Sequence, residues 1–273
     1  MNFVTTTDKT RLYIKDWGSG PPVILIHGWP LSADSWDDHA VALADGGYRA
    51  IAYDRRGFGR SSQPWSGYDY DTLADDLAAV IEQTDAQDAV LVGFSMGGGE
   101  VARYMSRHGG KSVVKAILIS SVLPYRLKSS DNPTGTEQSA FDETARAIGE
   151  DRAHFLAGFF KTFFGDGIIS HPVSEELMGW ARSVAMQASL KATLECLKSF
   201  STTDFRDDLA AFSVPTLIIH GTEDQTVPIN ASSRIAAKGI AQSTLIEYAG
   251  APHGLFATEK RRLASDLLDF LGQ

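Results

Sequence analysis

One short stretch, residues 93–97 with the sequence Gly-Phe-Ser-Met-Gly, constrains the fold of this chain more than any other. An uninterrupted apolar run precedes it at 89–92, typical of a strand covered on both faces, and a helix-like pattern follows at 98–105. Glycines are needed where a strand turns sharply into a helix, because a side chain there would collide with the neighbouring elements. Such a turn holds the Ser95 hydroxyl clear of the sheet edge. It also points the backbone N–H of Met96 to the place where negative charge would develop.

The rest of the chain is built from similar apolar runs separated by helical patterns. This alternation with short connections predicts a mostly parallel sheet with helices on both faces. The first residues differ, since 3–6 and 12–17 predict an antiparallel hairpin at the sheet edge. The further predicted strands are 23–26, 48–54, 113–119, 215–221 and 244–248, and the clearest helices are 36–45, 73–83, one from about 230 and one ending near 271.

The alternation stops between Pro124 and Asp208, where helical patterns occur without any strand-like run. The segment is rich in aromatic residues, which are Phe141, Phe155, Phe159, Phe160, Phe163, Phe164 and Trp180. An apolar helical insertion placed between two sheet strands predicts a lid over an apolar pocket. We therefore expect a core domain made of residues 1–123 and 209–273, with 124–208 inserted as a helical cap.

The bulk composition excludes several classes of function. The 273 residues carry 25 basic against 34 acidic side chains, a net charge of −9, which argues against nucleic acid as a partner. The single cysteine, Cys196, cannot form an intramolecular disulfide and is compatible with a reducing cytoplasmic setting. The N-terminus lacks the layout of a signal peptide, and no apolar run is long enough for a bilayer, so we expect no membrane association.

Two cofactor hypotheses fail on spacing. The glycine-containing turn at 54–62 lacks the third glycine of a dinucleotide-binding loop and the lysine of a P-loop. We expect Asp54 and the neighbouring arginines to pair around this turn instead. No two histidines have helical metal-ligand spacing with a carboxylate, so neither a metal site nor a cofactor is expected.

A serine hydroxyl is a poor nucleophile until a neighbouring base accepts its proton, so Ser95 requires a histidine. Of the seven histidines, His253 lies in a loop after the final strand, at the edge of a parallel sheet where ligands bind. His27 and His220 each precede a glycine at a strand end and are expected to be structural hydrogen-bonding groups. The other histidines, expected to be solvated or locally capped, are His39, His108, His154 and His171.

The base must be held in one tautomer by a carboxylate. Glu223 and Asp224 both follow the strand that ends at 221, and we prefer Asp224 because its shorter side chain is the more rigid. The predicted catalytic residues are then Ser95, Asp224 and His253, in an order that separates this chain from the two serine-protease arrangements. The backbone N–H of Trp29, after an earlier strand, would join that of Met96 as the second oxyanion donor.

These motifs resemble those of the cofactor-free haloperoxidases and aryl esterases of the α/β-hydrolase family over nearly the whole chain. The matching stretches are 27–31, 53–59, 93–104, 220–224 and 250–255. The resemblance implies an α/β-hydrolase fold with an eight-stranded sheet, and a serine hydrolase of small esters. It also implies an acyl-enzyme that hydrogen peroxide can intercept, giving a peracid that oxidises halide without the enzyme. Members of this family often form homo-oligomers.

Ser95 itself argues against two enzymes of the same fold, because epoxide hydrolases and haloalkane dehalogenases carry aspartate at this turn. A small-amide or lactam hydrolase stays open, since the same triad serves both reactions and only the pocket decides. A ligand receptor that keeps the fold and hydrolyses its ligand slowly is the alternative from a different class of function. The pocket that would select the substrate is predicted to be lined by Trp29, Phe94, Leu123, Phe159, Val227 and Leu255.

Overall fold

The computed structural model describes residues 2–273, in which eight strands form one sheet. The strands are β1 (Phe3–Thr5), β2 (Arg11–Gly18), β3 (Pro22–Ile26), β4 (Arg49–Tyr53), β5 (Ala89–Phe94), β6 (Val113–Ile119), β7 (Thr216–Gly221) and β8 (Ser243–Tyr248). Their order in the sheet is β1-β2-β4-β3-β5-β6-β7-β8. β2 is antiparallel to both β1 and β4, and the remaining neighbours are parallel. The mostly parallel sheet with a hairpin at its edge is therefore confirmed.

The apolar runs are explained by burial on both faces of the sheet. In β3, Val23 and Leu25 belong to one hydrophobic core, and Ile24 and Ile26 belong to the other. Successive side chains of a strand point to opposite faces, so a strand covered on both faces carries mostly apolar residues. β5 lies between β3 and β6, which places the turn at Ser95 in the middle of the sheet.

Helices cover both faces of the sheet. They are α1 (Asp37–Asp45), α2 (Tyr70–Gln83), α3 (Met96–Arg107), α4 (Gln138–Phe164), α5 (Glu175–Met186), α6 (Leu190–Thr202), α7 (Ser233–Gly239), α8 (Leu255–Thr258) and α9 (Lys260–Leu271). α2, α3 and α7 contribute to the core on one face, and α1 and α9 to the core on the other. Within the described residues, no helix is both long enough and apolar enough to cross a lipid bilayer.

The segment between β6 and β7 is helical, as predicted, and consists mainly of α4, α5 and α6. α4 is two helices joined at Asp151, whose φ of −153° and ψ of 87° break the helical geometry. The Asp151 carboxylate accepts a hydrogen bond from the backbone N–H of His154 at 2.9 Å, which starts the second half. The division of the chain into a core domain and a cap remains an interpretation.

The start of α2 differs from the prediction. The apolar pattern placed it at Leu73, but the helix begins at Tyr70 because Asp69 caps it. The Asp69 carboxylate accepts a hydrogen bond from the N–H of Thr72 at 2.9 Å. Such a cap satisfies an N–H group that has no partner inside the helix, so a helix can start before its apolar stripe does.

The turn at 54–62 is held by a wider network than expected. Asp54 pairs with Arg60 at 2.8 Å, as predicted. Arg55 and Arg56 instead point away from the turn, and each pairs with a buried carboxylate on a helix. Their partners are Glu100 on α3 and Asp76 on α2. The turn thereby ties two helices to the sheet, which local spacing did not indicate.

His39 is the one histidine in the described chain that contradicts its predicted setting. Its side chain is 1% exposed because it lies on the buried face of α1. Neither ring nitrogen has a hydrogen-bond partner, and the ring packs edge-on against Trp36. Burial lowers the pKa of His39 to about 4, because a charged imidazolium would lose its hydration there.

We expect His39→Leu to reduce the loss of stability in mild acid. A histidine with a lowered pKa binds a proton in the unfolded chain but not in the folded one between pH 6.5 and about 4. The free energy of unfolding therefore falls as the pH drops, by about 2 kcal/mol between about pH 7.5 and about pH 5. Urea unfolding of both proteins at the two pH values measures the difference. An equal loss in the variant and the wild type would contradict this account.

Candidate active site

Ser95 lies between the end of β5 and the start of α3, with a φ of 53° and a ψ of −114°. A residue other than glycine rarely adopts such a φ, and its presence indicates a turn that the surrounding structure holds in place. The Ser95 N–H donates to the carbonyl of Ile119 at 2.8 Å, which fixes the turn to β6. Gly97 makes the turn possible, since a Cβ at this position would lie 2.5 Å from the carbonyl oxygen of Ile26.

His253 lies in the loop between β8 and α8 and meets Ser95 from across the sheet edge. Its Nε2 is 2.9 Å from the Ser95 Oγ. The ring is 1% exposed and packs against the aromatic rings of Phe94 and Phe163 at centroid distances of 5.1 and 4.9 Å. Burial between two aromatic rings leaves the imidazole little freedom to turn away from the serine.

Asp224 follows β7 and holds the other side of the His253 ring. Its Oδ2 lies 2.6 Å from His253 Nδ1, and its Oδ1 accepts the backbone N–H groups of Thr226 at 2.9 Å and Val227 at 2.7 Å. With Nδ1 donating to a carboxylate, Nε2 is free to accept a proton from Ser95. Glu223, the competing carboxylate, is exposed on the same loop.

A second histidine contacts the same carboxylate, which the sequence did not indicate. His220 Nε2 lies 3.0 Å from Asp224 Oδ2 and 2.7 Å from the carbonyl of Val227, so this nitrogen donates. Burial raises the pKa of Asp224, but His253, His220 and their hydrogen bonds outweigh it and hold the pKa well below its usual range. The carboxylate therefore stays ionised beside the imidazole.

The backbone around Ser95 also offers hydrogen-bond donors. Met96 is the first residue of α3, so its N–H has no partner inside the helix. Gly28 brings the loop after β3 against the serine turn, since a Cβ there would lie 3.1 Å from the Ser95 Cβ. Trp29 follows on this loop, and its indole N–H donates to the carbonyl of Thr193 at 3.0 Å. Both predicted oxyanion donors thus belong to segments that meet at Ser95.

His27 holds this second loop in place. Its Nδ1 donates to the carbonyl of Gly28 at 2.9 Å, and its Nε2 accepts the backbone N–H of Arg55 at 2.9 Å. Burial, followed by the charge of Arg55, lowers the pKa of His27 well below its ordinary value. His27 is therefore a neutral, structural hydrogen-bonding group, as expected from its position at a strand end.

A cavity of about 420 Å³ opens over Ser95 and His253. Its volume lies within the range of about 300–1,000 Å³ that small-molecule pockets occupy. Three of the residues predicted to line the pocket do so, namely Trp29, Phe159 and Val227. The other lining residues are Val122, Arg126, Thr136, Ala140, Phe141, Thr144, Phe155, Gly158, Thr162, Leu197, Phe200, Gln225, Thr226 and Pro228.

The structure does not place the other three predicted pocket residues in the lining. Phe94, Leu123 and Leu255 are each at most 1% exposed and belong to the hydrophobic cores. Phe94 precedes the serine in sequence, but its side chain points under His253 and away from the cavity. Closeness in sequence to the serine turn did not predict which side chains line the cavity, because neighbouring residues of a strand point to opposite faces.

The residues that sequence reasoning missed come mostly from the segment 122–162. The aromatic composition of this segment signalled the apolar wall, and the structure places Phe141, Phe155 and Phe159 in it. No comparable signal marked Arg126, which is one of several charged residues in the connection between β6 and α4. Within the described chain, no cluster of three or more histidine, cysteine, aspartate or glutamate side chains is arranged to hold a metal ion.

The family model described as "alpha/beta hydrolase fold" matches residues 21–260. The non-heme chloroperoxidase of Streptomyces lividans is 44% identical, over 99% of each chain. The bifunctional esterase/perhydrolase DCH of Acinetobacter calcoaceticus is 41% identical, also over 99% of each chain.

The solved structures agree with the sequence relatives. A bromoperoxidase from Bacillus anthracis superposes with a TM-score of 0.95 at 45% identity, and 99% of each chain is covered. Sequence and structure thus match the same group of enzymes along essentially the whole chain. The protein belongs to the α/β-hydrolase family, in the group of the non-haem haloperoxidases and related esterases.

Proposed function

We propose that this protein hydrolyses small carboxylic esters through an acyl-enzyme formed on Ser95. The observation that carries the proposal is the hydrogen-bonded chain from Ser95 through His253 to Asp224, with distances of 2.9 and 2.6 Å, at the base of an apolar cavity. A serine, an imidazole and a buried carboxylate in this order are the parts that nucleophilic acyl transfer requires.

In the first half of the reaction, the Ser95 Oγ attacks the ester carbonyl while its proton passes to His253 Nε2. The carbonyl oxygen becomes an oxyanion, and the N–H groups of Met96 and Trp29 donate to it. Each such donor contributes about 3 kcal/mol to lowering the barrier. His253 then gives its proton to the leaving alcohol as the carbon–oxygen bond breaks, which leaves the acyl group on Ser95.

In the second half, water attacks the acyl-enzyme and His253 accepts its proton, which releases the carboxylic acid and restores the serine. Hydrogen peroxide attacking in place of water gives a peracid by the same proton transfers. The peracid oxidises a halide ion in solution and is itself reduced to the carboxylic acid. The esterase/perhydrolase of Acinetobacter calcoaceticus and the chloroperoxidase of Streptomyces lividans support this pair of outcomes, because both are similar over their whole length.

The wall of the cavity favours a short acyl group. The Trp29 indole is 5% exposed, is held by its bond to Thr193, and packs edge-on against Phe159 and Phe200. A large side chain fixed on three sides cannot move aside for a longer substrate. Long acyl chains would therefore have to displace packed aromatic rings.

We expect acetyl and propionyl esters of 4-nitrophenol to be hydrolysed over many turnovers, with a kcat/KM at least about 10-fold above that of the octanoyl ester. This ratio corresponds to about 1.4 kcal/mol of differential transition-state binding. Initial rates across the acyl series, with and without peroxide, measure both the preference and the formation of peracid. Release of one equivalent of nitrophenol followed by a stop would indicate a receptor and contradict the hydrolase. A preference for octanoyl esters would contradict the argument from Trp29.

A further inference from the structure

Arg126 is a charged residue buried in the wall of the substrate cavity. It lies in the connection between β6 and α4, is 8% exposed, and lines the same cavity as Ser95 and His253. Neither the hydrolytic reaction nor the fold described above uses its charge. A buried charge without a role is costly, so its presence calls for a partner.

The partners that Arg126 has within the protein do not satisfy it. Its Nη2 donates to the carbonyl of Thr226 at 2.9 Å, and its Nε has no hydrogen-bond partner. The other two buried arginines of residues 2–273 each pair with a carboxylate, Arg55 with Glu100 and Arg56 with Asp76. In the described chain Arg126 has no such pairing, although its guanidinium can donate five hydrogen bonds.

The charge persists under ordinary conditions. Burial lowers the pKa of Arg126 to about 10, against the raising influence of the nearby Asp224 carboxylate, so the guanidinium is protonated at neutral pH. Asp224 cannot act as its hydrogen-bonding partner, because both carboxylate oxygens are already engaged. Oδ1 accepts two backbone N–H groups, and Oδ2 faces His253 and His220.

The surroundings of Arg126 divide the cavity into two chemically different parts. Thr136 and Thr226 lie next to Arg126 and form a polar end of the cavity. The Thr136 N–H donates to the Arg126 carbonyl at 2.8 Å, and the Arg126 Nη2 donates to the Thr226 carbonyl at 2.9 Å. The aromatic wall includes Trp29, Phe155, Phe159 and Phe200. Within the described chain, Arg126 is the one lysine or arginine that lines the cavity. A single planar guanidinium matches one carboxylate, whereas a doubly charged phosphate would need further cations.

We propose that Arg126 binds a carboxylate of the substrate, so that the preferred substrates are small esters that carry a carboxylate apart from the ester group. The ester carbonyl is attacked at Ser95, the apolar body packs on the aromatic wall, and the carboxylate pairs with the free N–H groups of Arg126. The proposal rests on the proposed function, because it names the substrate class of the same site.

The test compares two esters that differ in one charge, 4-acetoxybenzoate and its neutral methyl ester. The wild type is expected to hydrolyse the anionic ester with the higher kcat/KM. Arg126→Met should lower the ratio of the anionic to the neutral kcat/KM by at least about 20-fold, the loss of a charge-assisted hydrogen-bonded pair. The matched control is Arg146→Met, which removes the same charge from an exposed position on α4 and should leave the ratio unchanged.

A binding measurement separates this proposal from the proposed function. In the Ser95→Ala protein, calorimetry should show 4-methoxybenzoate binding at least about 10-fold more tightly than 4-methoxybenzamide, because only the former carries the charge. This comparison needs no Arg126 variant and no turnover. Absence of ester hydrolysis by the wild type would contradict the proposed function alone. Equal binding of the two ligands, or equal losses for both esters in Arg126→Met, would overturn the role of Arg126.

Discussion

Ser95→Ala is expected to lower ester turnover by roughly 10⁴- to 10⁶-fold while the protein stays folded. In the proposed mechanism, the substitution removes the atom that forms the acyl-enzyme, and neither His253 nor the backbone donors can replace it. The fold should tolerate the change, because the Ser95 side chain makes its hydrogen bond to His253 and the backbone of the turn is held by Ile119. Steady-state hydrolysis of 4-nitrophenyl acetate and the thermal unfolding midpoint measure the two parts of the prediction.

The matched control is Ser121→Ala, a buried serine near the same sheet edge that does not line the cavity. It should retain turnover within about 3-fold. A serine-directed phosphonate should label the wild type and Ser121→Ala on Ser95, and it should fail to label Ser95→Ala. An active Ser95→Ala protein that carries the label on another serine would disprove the mechanism.

Asp224→Asn should lower kcat by roughly 10³- to 10⁴-fold, and the geometry gives the reason. Asp224 Oδ1 accepts the N–H groups of Thr226 and Val227, so the asparagine oxygen must take this place. The asparagine NH₂ group then faces His253 Nδ1, which can bond to it only as an acceptor. The proton is forced onto Nε2, and the imidazole can no longer accept the proton of Ser95.

Glu223→Gln is the matched control for this prediction, because it makes the same chemical change on the adjacent, exposed residue. We expect its kcat to stay within about 3-fold of the wild type. The comparison also tests the choice between Asp224 and Glu223, which the sequence analysis based only on the shorter side chain of Asp224. A larger loss in Glu223→Gln than in Asp224→Asn would show that the acid was assigned wrongly.

Much of the fold and of the candidate site could be predicted from the sequence, because the patterns that indicate them are local. A strand buried on both faces is mostly apolar, so β3 and β5 were visible as uninterrupted runs and β7 as the run Leu217-Ile218-Ile219. Parallel strands end at the same edge of the sheet, so residues that follow different strands meet there. Ser95, Asp224 and His253 could therefore be named together although up to 158 positions separate them. Each depends on where a strand ends, which the local pattern shows.

Side-chain direction was decided only by the tertiary structure. His39 was expected near solvent, but packing of α1 turned it into the interior of the protein. Phe94 was expected in the pocket, but the pleat of β5 turned it beneath His253. Both outcomes depend on how an element is rotated about its axis when it packs. The sequence of a single element does not determine that rotation.

The lining of the cavity depended on the tertiary structure most of all. Arg126 lies in a connection whose sequence shows neither helical nor strand periodicity, so nothing local predicts which way it points. Its burial arises because 122–162 folds over the sheet edge and brings it against Thr226, 100 positions further along the chain. Local patterns thus determined the candidate reaction centre, which is built from strand ends. The cavity wall is built from contacts between distant segments, and only the assembled fold decides which side chains face the substrate.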